Sequence, residues 1–149
     1  MKRTIKRVFT GLSVLAGLSA SAGLNAAPAM PLSQIEILKV ASTSGAVEDV
    51  SDGREQTRQP HRGPNIKVFV LERGYGRQPN VTLDGHEVDG VRTPVCNQGQ
   101  GLVTCNGAGT TVGYLYTFDL GNKDGGWFEF SNSSLVPPHN RLGVRLYIK

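Results

Sequence analysis

Glu72 and Glu129 sit in runs that read as β-strands. An acid paired with a base or nucleophile across a groove is what glycosidic cleavage requires. Glutamates facing solvent from a strand are common, so this pair supports a small secreted hydrolase only as the alternative reading. Recognition chemistry is richer. Arg73-Gly74-Tyr75-Gly76-Arg77 puts two guanidiniums and a phenol on a glycine-flanked loop, and Trp127 follows Gly125-Gly126 in a short aromatic run. Rings with a polar edge, set beside arginines, are favoured where a protein meets a partner. Arg73, Tyr75, Arg77 and Trp127 are therefore the candidate binding residues, with a glycan, an envelope component or another protein as the expected partner. The competing reading buries Trp127 in the core and leaves the arginines to solvate a turn.

The two cysteines, Cys96 and Cys105, are expected to form a disulfide if the chain enters an oxidising compartment. The bond would close the glycine-containing loop 97–104, worth about 2.5–3 kcal/mol of loop entropy. A cysteine-closed loop also admits a protease-inhibitor reading, with no diagnostic residue behind it. The spacing is not Cys-x-x-Cys, so a redox role is not expected. His61, His86 and His139 lack ligand spacing, and no metal site or cofactor is assigned. Asp119 to Gly126 supplies Asn122 and Asp124 as oxygen donors, but Leu120 holds the first calcium-ligand position, so the segment reads as a turn. There is no Gly-x-Ser-x-Gly elbow, no phosphate-cradling Gly-x-x-x-x-Gly-Lys and no His-Glu-x-x-His. No catalytic residue is assigned, and the reading leans away from an enzyme.

The compartment follows from the first residues. Lys2, Arg3, Lys6 and Arg7 precede an apolar run from Val8 to Leu18, and small residues continue through Ala27. This is the order of a secretory signal peptide, with an apolar stretch too short to span a bilayer. Cleavage after Ala22 or Ala26 fits the small-residue rule. Ala26 is preferred because Pro28 then lies just past the new terminus. The expected division is a leader over 1–26 and one domain over 27–149, secreted or periplasmic. Of sixteen Lys and Arg, four lie in the leader, and none of the twelve Asp and Glu do. The remaining chain is formally neutral, so a nucleic-acid partner is not expected. Nor is a membrane span in the mature form.

Periodicity supplies the elements. Gln34 to Ala41 and Ile66 to Leu71 are apolar on both sides and read as covered strands. Val81-Thr82-Leu83 and His86-Glu87-Val88 flank Asp84-Gly85, the signal of a two-residue hairpin with Leu83 opposite His86. Thr111 to Leu120 alternates, with Val112, Tyr114, Tyr116, Phe118 and Leu120 on one face. The run Trp127–Phe130 and the closing stretch with Leu142, Val144, Leu146 and Ile148 inward complete the set. Six to seven short strands predict an all-β fold, a single antiparallel β-sandwich. Residues 42–64 form a long polar loop, in which a short strand near 46–50 is the expected omission.

From Ile66 onward the chain resembles the YolA-like family of small secreted bacterial proteins. Arg73-Gly74-Tyr75-Gly76 after an apolar strand carries the resemblance, with Gly113-Tyr114, Trp127-Phe128 and the closing Leu146-Tyr147-Ile148-Lys149. It implies a bacterial exported domain of unknown function and transfers no catalytic residue.

Overall fold

The computed structural model describes residues 28–43, 47–99, 101–107, 109–121 and 124–149. The expected leader and its cleavage sites lie outside the described residues, as does Asn122. The described chain is all β. Its strands are β1 (Gln34–Ala41), β2 (Glu48–Asp49), β3 (Lys67–Arg73), β4 (Asn80–Leu83), β5 (His86–Glu87), β6 (Gly90–Gln98), β7 (Gly101–Thr104), β8 (Thr111–Asp119), β9 (Gly126–Ser133) and β10 (Arg141–Ile148). They form two antiparallel sheets, a six-stranded one in the order β2-β1-β3-β8-β6-β7 and a four-stranded one in the order β10-β9-β4-β5.

Alternation decides which side chains meet between the sheets. Val68 and Val70 of β3, Tyr116 and Phe118 of β8, Phe128 and Phe130 of β9, and Leu146 and Ile148 of β10 form the centre of the core. Phe130 packs edge-on against Tyr116 and Phe118, and Phe128 is tilted against Phe118, with centroids 5.2 to 5.9 Å apart. Such tilted contacts suit the ring quadrupoles. β1 keeps its apolar residues inward by changing phase. A register shift between Ile37 and Lys39 lets Ile35, Ile37 and then Val40 all reach the core. The Asp84-Gly85 hairpin forms in the expected register, with both residues at positive φ and Leu83 paired to His86.

Among the described residues ten strands form where six to seven were expected, and the difference lies mainly in β6 and β7. Pro94 and the polar residues around it hide β6 from a reading by alternation. The proline is tolerated because its carbonyl accepts from Cys105 N at 3.0 Å just where the β6–β7 ladder ends at Val95 and Thr104. Its missing N–H thus falls beyond the last ladder pair. The cysteine loop is this hairpin, and Cys96 and Cys105 are joined across it with Cα atoms 5.1 Å apart.

Residues 47–64 form a strap. It contains β2 at Glu48–Asp49, within the stretch where a short strand was expected. It then bonds the end of β10, with Tyr147 N donating to Glu55 O, Thr57 N to Tyr147 O, and Lys149 N to Thr57 Oγ1. One carboxylate gathers the strap. Glu48 accepts from Arg58 N at 2.7 Å, Gln59 N at 3.1 Å and Arg54 Nη1 at 2.9 Å, and His61 Nε2 lies 3.3 Å away. Ser42 Oγ lies 3.2 Å from His61 Nδ1. These are the residue types of an acyl-transfer triad. His61, however, is fully buried, and Glu48 is already committed to holding backbone, so the array acts as a latch.

β1 packs against β10 and closes one flank of the sandwich. On the other flank the chain crosses from β5 to β6 through Val88 and Asp89, and a cleft opens there.

Candidate functional site

The cleft encloses about 550 Å³, within the range of small-ligand sites. Its aromatic side is Tyr75, Tyr114, Tyr116 and Phe118; its polar rim includes Arg77, Gln78, Glu87, Asp89 and Arg92. Each group is there for a local reason. Tyr114, Tyr116 and Phe118 share the inward face of β8, with Tyr116 and Phe118 in the core and Tyr114 partly buried against it. Arg92 is the register partner of Tyr116 on β6. Its guanidinium carbon lies 3.7 Å from the Tyr114 ring centroid, a cation–π contact. Tyr75 stands edge-on to Tyr114 at 6.0 Å, and its hydroxyl donates to Thr111 O at 2.8 Å.

The loop presenting Tyr75 and Arg77 is fixed by its glycines. Gly74 has φ +87°, and a Cβ there would lie 2.1 Å from Pro31 O. A Cβ on Gly76 would lie 2.1 Å from Asn132 Nδ2. Backbone bonds complete the seat: Tyr75 N to Met30 O, Leu135 N to Tyr75 O, and Arg77 N to Ser133 O. The loop is a rigid platform between the sheets.

Behind this wall lies a buried polar cluster. Glu72 is fully enclosed, accepting from Gly76 N at 3.1 Å and Asn132 Nδ2 at 2.7 Å. Burial pushes its carboxyl above the usual range, against the opposing pull of those two donors and the Arg92 charge. Tyr116 is 3% exposed, and its hydroxyl is buried beside the Glu72 carboxylate and the Arg92 guanidinium, with no well-formed hydrogen bond to either. Burial, and then the Glu72 charge, push the phenol well above its ordinary value. It is therefore a neutral donor at any physiological pH.

The residues nominated by sequence divide among several places. Tyr75 and Arg77 line the cleft. Arg73 is exposed on a separate depression with Ser33, Asn97 and Leu102. Trp127 is 40% exposed at the start of β9, tilted against Tyr147 at 5.3 Å with Arg145 above it at 5.2 Å. It neither fills the core nor meets Tyr75, whose loop adjoins the far end of β9 about 20 Å away at ~3.3 Å per residue. Glu72 and Glu129 do not converge. Glu72 points between the sheets, and Glu129 is exposed on the outer face of β9. Arg92 and Asn132 went unnoticed in the sequence. Arg92 lies on the unread strand, while Asn132 follows Phe128 and Phe130 by alternation and was findable.

A family model described as a domain of unknown function (DUF4879) matches residues 27–148, and the chain belongs to that family. No curated protein and no solved structure matches the chain. Among the described residues, no helix is long and apolar enough to cross a membrane.

Proposed function

We propose that this is an exported, non-enzymatic binding module whose open-flank cleft takes a saccharide. The observation that carries the reading is the aromatic wall of Tyr75, Tyr114 and Tyr116 facing a rim of polar side chains. Sugar rings have apolar C–H faces and hydroxyl edges, and such a surface meets both. Export rests on the leader read in residues 1–26 and is compatible with the Cys96–Cys105 bond. The YolA-like resemblance of residues 66–149 belongs to the same reading and suggests a bacterial, secreted or periplasmic setting.

A glycan array probed with the processed protein, followed by calorimetry on the hits, tests this. Tyr114→Ala and Tyr75→Ala should each weaken a hit by about tenfold, equivalent to ~1.4 kcal/mol for a lost ring contact. A hit that survives both substitutions unchanged would overturn the assignment of the cleft.

A further inference from the structure

We infer that the cleft selects an anionic saccharide, with Arg92 and Arg77 receiving its carboxylate or sulfate group. This rests on the saccharide reading and adds the ligand's charge to it.

The argument begins with what the arginines do not do. Arg54 is ion-paired to Glu48 and Asp52, but among the described residues neither Arg92 nor Arg77 makes an ion pair. Arg92 spends one face of its guanidinium on the Tyr114 ring. Its N–H donors lie in the plane, where they can meet an oxyanion edge-on, the geometry in which guanidinium meets carboxylate with paired bonds. The internal carboxylate best placed to neutralise it is Glu72. That group is fully buried, already accepts from Gly76 N and Asn132 Nδ2, and comes no closer to Arg92 than an unbonded neighbour.

The Tyr116 hydroxyl lies in the same corner, close to both the Glu72 carboxylate and the Arg92 guanidinium but without a well-formed hydrogen bond to either. The cleft-facing donors of this corner are the Arg92 and Arg77 guanidiniums, neither of them ion-paired among the described residues. An anionic oxygen meets these guanidiniums better than a neutral hydroxyl, because hydrogen bonds to an ionised acceptor are roughly twice as strong. Arg92 is exposed, so its guanidinium is open to a ligand in the cleft. Glu87 and Asp89, exposed at the β5–β6 crossing, line the same cleft. They repel an anion placed on their lip and accept from ring hydroxyls, so the charges orient the ligand as well as attract it.

The test is calorimetry of the processed protein with hexagalacturonate and a chondroitin sulfate hexasaccharide, against cellohexaose and maltohexaose. At least one acidic oligosaccharide should bind tenfold or more tightly than either neutral one, and its affinity should fall as sodium chloride is raised. Arg92→Gln should reduce that preference at least fivefold. Arg77→Gln, on an exposed loop position, serves as the second variant should Arg92→Gln fold poorly. Equal or better binding of the neutral oligosaccharides overturns the charge assignment alone and leaves the saccharide reading standing. So does an Arg92→Gln loss shared by both classes. No binding by any of the four overturns both readings.

Discussion

Asn132 of β9 donates from Nδ2 to Glu72 Oε2 of β3 at 2.7 Å, joining the two sheets in the wall behind the cleft. The same amide also reaches Arg77 O at 3.1 Å, so one side chain holds sheet, sheet and loop together. A buried polar bridge of this kind costs desolvation but fixes a geometry that apolar packing would leave loose. The aromatic wall depends on it.

Removing the bridge should therefore show in stability and in its pH dependence. Asn132→Leu leaves Glu72 short of a donor and should cost about 1–3 kcal/mol. Burial raises the Glu72 carboxyl above 4.5, so the folded state favours the protonated form. The native protein then holds its proton longer than the unfolded chain, and stability declines as pH rises from about 4.5 through the folded value. Glu72→Gln should lack that decline, its stability relative to the parent improving with pH. Urea titrations at several pH values read the difference. A difference that is flat or falls with pH contradicts the assignment.

The strap should respond to acid in the opposite sense. Burial works against ionisation of Glu48, but the backbone N–H groups of Arg58 and Gln59 and the His61 side chain outweigh it and hold its carboxyl below 4.5. Its contribution is complete above that value and is lost as pH falls through the lower, folded one. Amide protection factors at Arg58 and Gln59 should drop on acidification while those in β8 and β9 hold. In Glu48→Gln they should be low throughout and insensitive to pH. Protection at these two amides that is unchanged in acid counts against the latch.

Cys96→Ser with Cys105→Ser should lower stability by about 2.5–3 kcal/mol, the loop-closure entropy of a ring this small. Fraying should begin in β7, the edge strand, and leave β3 and β8 protected. A loss below about 1 kcal/mol would mean that the β6–β7 hairpin holds without its bond.

Much of the fold was legible because alternation is a local signal. The inward row of Tyr116, Phe118 and Leu120, the Asp84-Gly85 hairpin and the closing strand all follow from it. The same parity, carried two residues past Val70, puts Glu72 inside, although a glutamate invites a solvent-facing reading. β6 was hidden because its Pro94 and exposed Val91 make sense only once β8 and β7 are known as neighbours. Of the cleft-lining residues, Tyr75 and Arg77 are marked in the sequence by their flanking glycines. Trp127 was grouped with them on chemistry alone, and separation along β9 is not a property that composition encodes.

That separation makes a clean control. The chain has one tryptophan, half exposed beside Tyr147. A saccharide in the cleft should leave Trp127 emission unshifted, and Trp127→Ala should change its affinity less than twofold. A large quench on binding would relocate the site to the Trp127–Tyr147 face.

The most direct measurement is an amide NMR titration of the processed protein with the tightest-binding oligosaccharide. The account predicts shifts concentrated at residues 75–79, 87–92 and 114–118, with Glu55, Trp127 and Tyr147 unmoved. Shifts centred on Trp127, or on the Arg73 depression with the cleft residues silent, would contradict it.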